Sequence, residues 1–270
     1  MDYRFHRTYR GHVKAVILDW AGTTVDFGSF APTAVFIKLF ANYGVQISAA
    51  HARAPMGLMK KDHLRAIARN EEVAQAWLTV HGKAIAEADI DSMFAQFVPM
   101  QLACLEEYAE VIPGVLDALE ACREAGLKVG STTGYTRDMM EVLVPAARRN
   151  GYEPDVWVAA NDVPAGRPFP WMMYQNAMNL KVYPFESIVK IGDTITDIEE
   201  GLNAGAWTIG LAFSGNMLGL SKTEFDQLSP GELDRSRREI TARFFKTGAH
   251  FVIDSLADCL PVIRKINSRL

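Results

Sequence analysis

The chain has 270 residues, of which 49% are apolar and 22% are charged, and its net charge of −4 fits one large domain or a core domain plus a smaller one. The acidic balance argues against a nucleic-acid surface, no apolar run approaches the roughly 18 residues of a membrane span, and the N-terminus lacks the apolar stretch of a signal peptide. Cys104, Cys122 and Cys259 are widely spaced and odd in number, so we expect buried free thiols and a cytoplasmic protein without disulfide or zinc.

Short β-type runs alternate with amphipathic helices along most of the chain. The runs predict strands at 13–18, 127–131, 156–160, 187–192, 207–211 and 250–253. The intervening periodicity predicts helices at 116–125, 136–149 (capped by Thr136), 170–179, 198–204 and 255–266. Strands that alternate with helices form parallel βαβ units. We therefore predict an α/β fold with a Rossmann-like parallel sheet as its core.

Residues 29–107 have a different pattern from the rest of the chain. Helical periodicity recurs at 31–43, 59–69, 71–80 and 90–108, and no convincing strand interrupts it. We predict a small helical cap domain over residues 29–107, inserted into a Rossmann-like catalytic core of residues 1–28 and 108–270.

Polar residues follow several of the predicted strands. Asp19 follows the first strand, Thr133 lies in the turn after the second, and Arg167 lies in a loop after the third. Asp193 follows the fourth strand, and Asp197 lies four residues further on. Open parallel sheets bind ligands at the carboxyl ends of their strands, so these groups are expected to meet. An anionic nucleophile, a hydroxyl, a fixed cation and carboxylates for Mg²⁺ are what phosphoryl transfer requires.

These segments resemble, in order, the four motifs of the haloacid dehalogenase superfamily of phosphotransferases. The resemblance implies that Asp19 is the nucleophile and a metal ligand, and that Asp193 is a metal carboxylate. It implies that Thr133 and Arg167 bind the substrate phosphoryl group. It also implies that Asp197 supports the Mg²⁺ site, often through water.

One position departs from the pattern of most phosphatases in that superfamily. They carry a second aspartate two residues after the nucleophile, as the acid that protonates an oxygen leaving group. Here that position is Ala21, whose backbone carbonyl is still expected to reach the metal. Without an acid, we expect a leaving group that is not an alkoxide. The motif cation, usually lysine, is Arg167 here.

Five longer segments resemble the phosphonoacetaldehyde hydrolase family: DWAGTTVDFGSFAP, PMGLMKKDH, GSTTGYTRDMM, DVPAGRPFPWM and GAHFVI. This resemblance covers nearly the full chain. It implies that Lys60 in the cap forms a Schiff base with the substrate aldehyde, so that the carbon–phosphorus bond breaks into an enamine. Lys61 is turned about 100° away on a helix, whereas His63 shares the face of Lys60 and is expected to shuttle protons.

Three neighbours of these residues are expected at the substrate. Met56 is either a core residue or a substrate contact, and Gly57 allows close backbone approach or starts the helix. Tyr135 packs on the substrate or on the cap hinge. The resemblance also implies a homodimer formed through the caps, with a small-molecule substrate and neither nucleic acid nor membrane as partner.

Two other functions compete with this interpretation. The first is an ordinary Mg²⁺-dependent phosphate-monoester phosphatase or mutase on the same fold, which Ala21 and the cap lysine disfavour. The second is a regulatory protein on an inactive fold, which the complete set of motif residues disfavours.

Overall fold

The computed structural model describes residues 9–270, and within them six parallel strands form one sheet. The sheet order is β3-β2-β1-β4-β5-β6. The strands are β1 Ala15–Leu18, β2 Lys128–Thr133, β3 Val156–Ala159, β4 Ile188–Gly192, β5 Trp207–Leu211 and β6 Phe251–Ile253. All residues of β1 and β4 are buried, as expected for parallel strands covered on both faces. The predicted parallel α/β core is confirmed.

Helices cover both faces of the sheet. They are α6 Val115–Glu124, α7 Arg137–Arg149, α8 Trp171–Leu180, α9 Ile195–Asn203, α10 Lys222–Asp226, α11 Pro230–Thr247 and α12 Cys259–Asn267, after the five cap helices given below. Successive side chains of β1 point to opposite faces, so Val16 and Leu18 join one apolar cluster while Ala15 and Ile17 join another. The protein core therefore has three layers with the sheet in the middle.

Two sequence-based expectations for the core need correction. Residues 211–250 carried no predicted helix, yet α11 begins there with Ser229 as N-cap and Pro230 in its first turn. Thr136 does stand at the N-cap of α7, but its hydroxyl makes no cap hydrogen bond. Asn161 Oδ1 instead accepts the N–H of Arg137 at 2.8 Å.

Residues 29–107, called the cap segment below, contain helices and no strand, while their role as a separate cap domain stays a prediction. The helices are α1 Phe30–Asn42, α2 Ala49–Arg53, α3 Lys60–Ala68, α4 Glu71–His81 and α5 Glu87–Leu102. Phe36 of α1 stacks on Phe97 of α5 with ring centroids 4.5 Å apart, a contact that joins the two longest helices of this segment. The long helix expected at 90–108 ends at Leu102, and a 3-10 turn over Leu105–Tyr108 follows it. Across residues 9–270, no helix has both the length and the apolar character needed to cross a membrane.

The two crossings between core and cap lie side by side. The buried carboxylate of Asp26 accepts the N–H groups of Phe30 at 2.9 Å and Ala31 at 3.0 Å, so it caps the start of α1. The N–H of Asp26 donates to Glu110 O on the returning segment. Burial raises the pKa of Asp26 to about 7, although these two N–H groups lower it.

Candidate active site

The sheet brings the predicted site residues to one edge. Asp19, Thr133 and Asp193 lie at the carboxyl ends of β1, β2 and β4, which are neighbours in the sheet, and all three are buried. Asp19 continues the hydrogen bonding between β1 and β4, because its N–H donates to Ile191 O at 3.1 Å. Asp19, Thr133 and Arg167 line a small cavity of about 20 Å³, together with several residues of the cap segment.

Three carboxylates converge at this edge. Oxygens of Asp19, Asp193 and Asp197 lie within 4.8 Å of one another. Burial raises the pKa of Asp193 well above its usual range, and the charges of Asp19 and Asp197 add to that effect. Burial also acts on Asp197, but Arg167 and Lys190 outweigh it and hold its pKa below the ordinary value. Among the described residues, Asp193 is thus the carboxylate of this cluster that forms no direct ion pair, although Arg53 and Lys60 are near enough to interact with its charge.

Asp197 belongs to a buried network of ion pairs beneath the nucleophile. Arg167 contacts Asp19 Oδ1 at 2.7 Å, Asp197 Oδ1 at 3.1 Å and Glu200 Oε2 at 3.0 Å. Lys190, in the middle of β4, contacts Asp197 Oδ1 at 2.9 Å and Glu200 Oε2 at 3.2 Å. Burial raises the pKa of Asp19, and the guanidinium of Arg167 offsets part of that shift.

The charges of this cluster do not cancel. Four carboxylates, Asp19, Asp193, Asp197 and Glu200, face the two ion-paired cations Arg167 and Lys190. Even with the ammonium of Lys60, which lines the same cavity, negative charge remains in excess. Uncompensated buried charge is strongly unfavourable, and a divalent cation supplies two positive charges. The ligand atoms on offer are all oxygens, the type that hard cations bind. The residues present therefore fit a divalent metal ion.

The cap segment places an amine opposite these carboxylates. Lys60, the first residue of α3, is buried and lines the same cavity as Asp19. Its Nζ lies 4.6 Å from the centroid of the Tyr135 ring. Burial lowers the pKa of Lys60 to about 8, although Asp19 acts in the opposite direction. Lys61, its neighbour, instead forms ion pairs with Asp91 and Glu87.

The comparisons with known proteins agree with this geometry. Residues 13–205 match the model of the haloacid dehalogenase-like hydrolases. A phosphonoacetaldehyde hydrolase-like protein of Syntrophobacter fumaroxidans is 56% identical over 97% of this chain and 95% of its own. A phosphonoacetaldehyde hydrolase of Nitratidesulfovibrio vulgaris is 47% identical over 98% of this chain and 94% of its own. This chain belongs to the phosphonoacetaldehyde hydrolase family. A solved structure agrees: the phosphonoacetaldehyde hydrolase-like protein of Oleispira antarctica has a TM-score of 0.95 at 41% identity, covering 100% of this chain and 98% of its own.

Four more residues that were predicted to lie at the substrate or the metal line the cavity. Met56, Gly57, Tyr135 and Ala21 all line it, so the structure brings them together with Asp19. Gly57 has a φ of +91°, and a Cβ there would overlap the hydroxyls of Thr194 and Thr196. Its backbone therefore lies close to the core, and its predicted contact with the substrate stays a prediction. The substrate contacts of Met56 and Tyr135, and the metal contact of the Ala21 carbonyl, remain predictions.

His63 lies behind Lys60 rather than on the cavity wall. Its Nε2 is 2.7 Å from Ala52 O, and its ring packs on Phe36 with centroids 4.0 Å apart. Burial, aided by the charge of Lys60, holds the pKa of His63 well below its usual range. The ring is therefore neutral at pH 7, and a proton-transfer role remains a prediction.

Three residues of the site had no assigned role in the sequence-based prediction. Lys190 and Glu200 complete the buried ion network, and the signal for Lys190 was a charge inside the apolar strand SIVKIG. Ser29, at the hinge, lines the cavity with its buried hydroxyl unpartnered among the described residues. It has a φ of 54°, so the backbone is turned sharply where the chain enters the cap.

Proposed function

We propose that this protein hydrolyses the carbon–phosphorus bond of phosphonoacetaldehyde, giving acetaldehyde and phosphate. The observation that carries the proposal is the buried Lys60, with a pKa lowered to about 8, in one cavity with the carboxylate of Asp19. An amine and a carboxylate nucleophile in the same small cavity can act on the two ends of a small aldehyde that carries a phosphoryl group. The family relatives named above act, by their names, on this substrate.

Lys60 acts first. Its neutral amine adds to the aldehyde carbon, and the adduct takes up a proton and loses water, which gives a protonated imine next to the carbon that bears phosphorus. This imine is an electron acceptor, and a carbon–phosphorus bond otherwise leaves an unstable carbanion. Tyr135 packs beside the amine and keeps it in an apolar setting.

Asp19 acts second. Arg167 holds its Oδ1 at 2.7 Å, which leaves Oδ2 to attack phosphorus. The carbon–phosphorus electrons move into the imine and form an enamine, and an aspartyl-phosphate forms on Asp19. Water then hydrolyses the aspartyl-phosphate to phosphate. The enamine takes up a proton, and hydrolysis of the resulting imine releases acetaldehyde and regenerates Lys60.

Mg²⁺ is the metal we propose for the carboxylate cluster, with Asp19, Asp193 and the carbonyl of Ala21 as ligands and Asp197 behind them. When bound, Mg²⁺ neutralises the oxygens of the transferring phosphoryl group. Thr133 and Arg167 are proposed to hold the same phosphoryl group. Ala21 adds no acid, and none is required because the leaving group is carbon.

Residues 29–107 are proposed to act as the cap that closes this site, and two caps are proposed to pair in a homodimer. The support for pairing is a half-open cleft of about 480 Å³ beside α1 and α5, lined by Val35, Pro99 and Met100 among others. A cytoplasmic location, and the lack of nucleic-acid and membrane partners, remain predictions from the sequence.

Phosphate release from phosphonoacetaldehyde, with and without Mg²⁺, tests the proposal. Lys60→Arg keeps the charge but forms no imine, so we expect turnover to fall at least about a thousandfold. Lys61→Arg is the matched control, and we expect it to retain wild-type activity. If Lys60→Arg turned over at the wild-type rate, the Schiff-base mechanism would be wrong.

A further inference from the structure

A loop of the core links the cap to the metal carboxylate. Arg53 ends cap helix α2, and its Nη1 donates to Gly28 O at 2.6 Å and to Asn216 Oδ1 at 3.3 Å. Asn216 returns the contact, because its Nδ2 donates to Arg53 O at 3.1 Å. We call this reciprocal pair, Arg53 and Asn216, the clasp. Its two residues are separated by 163 positions in the chain.

The same asparagine touches the candidate metal site through its backbone. The N–H of Asn216 donates to Asp193 Oδ2 at 2.7 Å, while Thr23 Oγ1 donates to Asp193 Oδ1 at 3.1 Å. One residue thus contacts the cap with its side chain and the carboxylate with its main chain. A small shift of this residue therefore moves both contacts together.

The loop has no room to shift without disturbing Asp193. A Cβ on Gly215 would overlap the Asp193 side chain, and so would a Cβ on Gly22 of the nucleophile loop. Ser214 Oγ donates to Gly22 O at 2.8 Å, and Ser214 O accepts the N–H of Gly28 at 2.8 Å. The loop of residues 214–219 therefore packs against the nucleophile loop, the hinge and the carboxylate of Asp193.

The guanidinium of Arg53 is also built into this arrangement. It is half-buried, lies 4.9 Å from the centroid of the Phe30 ring at the start of α1, and packs against Gly219 of the same loop. Gly219 has a φ of +68°, so any side chain there is strained as well as placed against the guanidinium. Arg53 therefore contacts three parts of the molecule: the hinge at Gly28, the first cap helix at Phe30 and the core loop at Gly219.

We propose that the clasp couples cap closure to the metal site, with Arg53 and Asn216 as positioning residues. With the cap closed, the clasp fixes the loop so that the N–H of Asn216 holds Asp193 for the metal. With the cap open, the side-chain bonds of the clasp break and the loop is released. By linkage, metal binding at Asp193 favours the closed cap to the same extent that closure favours metal binding. The proposal rests on the metal site proposed above, but not on the identity of the substrate.

The test uses Arg53→Ala, Asn216→Ala and the double variant, with Arg69→Ala as control because Arg69 is exposed on the same cap segment. Asn216→Ala keeps the backbone N–H that reaches Asp193, so a loss of Mg²⁺ affinity in this variant reports the position of the loop. Calorimetry measures the Mg²⁺ dissociation constant without any turnover. Hydrogen exchange of amides 26–30 and 214–219 measures closure, with and without Mg²⁺.

We expect each clasp variant to raise the Mg²⁺ dissociation constant about tenfold, the scale of one lost hydrogen bond to a charged group. The double variant should match the singles, because both residues act through one contact. Mg²⁺ should slow exchange of the hinge amides in the wild type and in Arg69→Ala, but little in the clasp variants. Arg53→Lys, which keeps the charge, replaces Arg53→Ala if the latter fails to fold.

Unchanged Mg²⁺ affinity and hinge exchange in the clasp variants would overturn the proposal, as would additive effects in the double variant. A wild-type protein that binds no Mg²⁺ would instead refute the metal site of the proposed function. If the wild type turned over the substrate while the clasp variants kept wild-type Mg²⁺ affinity and hinge exchange, the proposed function would stand and the coupling through the clasp would be refuted.

Discussion

The lowered pKa of Lys60 makes the pH dependence of imine formation measurable at a single residue. Only the neutral amine attacks an aldehyde. With a pKa of about 8, roughly one Lys60 in eleven is neutral at pH 7, against about one in three thousand for a lysine at the ordinary value of 10.5. Burial thus raises the reactive fraction about 300-fold. The sign is that of a depressed lysine: reactivity rises with pH and levels off above about 8.

Acetaldehyde with cyanoborohydride traps the imine as a stable ethyl-lysine. Peptide mass spectrometry from pH 6 to 9.5 then gives the fraction of Lys60 that is labelled at each pH, corrected for the pH dependence of the reductant as measured on a preformed imine. We expect labelling at Lys60 to rise about tenfold from pH 6 to 7 and to flatten beyond pH 8. Labelling that climbed tenfold per unit up to pH 9.5, or that spared Lys60, would refute the reasoning.

Three further outcomes follow from the same site. Ala21→Asp should not raise carbon–phosphorus hydrolysis relative to Ala21→Asn, because a carbon leaving group needs no oxygen acid; a higher kcat/KM would contradict this. Glu200→Gln should lower the free energy of unfolding by about 3 kcal/mol in urea titrations, because Arg167 and Lys190 lose a buried partner. The control is Glu199→Gln at the half-buried neighbouring position, which should change the free energy of unfolding by under about 0.5 kcal/mol. Chelation should abolish phosphate release and added Mg²⁺ should restore it, and turnover that persisted in excess chelator would exclude the metal site.

The sheet and its site edge were predictable from the sequence because their rules are local. β1 and β4 are short apolar runs followed at once by Asp19 and Asp193, and parallel strands align their carboxyl ends. The cap lysine was predictable from the segment PMGLMKKDH and its resemblance to the family. Its burial was not, because that depends on how the cap lies on the core.

The residues without an assigned role depend on contacts between distant parts of the chain. Lys190 is one charge in an apolar strand, and its partners come from β2 and α9. Arg53 ends a five-residue helix, too short for a periodic pattern, and Asn216 lies in a loop. Helix α11 is different, since Ser229, Pro230 and Glu232 form a local start signal and the helix was therefore predictable from the sequence.

Two glycines, Gly57 and Gly134, lie where the cap segment contacts the core. Gly57 meets the hydroxyls of Thr194 and Thr196, and a Cβ on Gly134 would lie 2.5 Å from Leu58 O, so neither position has room for a side chain. Any side chain at either position would push the cap segment away from the core. The cavity at the site holds only about 20 Å³, so a displaced cap segment would change its size and shape as well as the position of Lys60. Two positions without a side chain therefore set how near the amine of the cap segment lies to the carboxylates of the sheet edge.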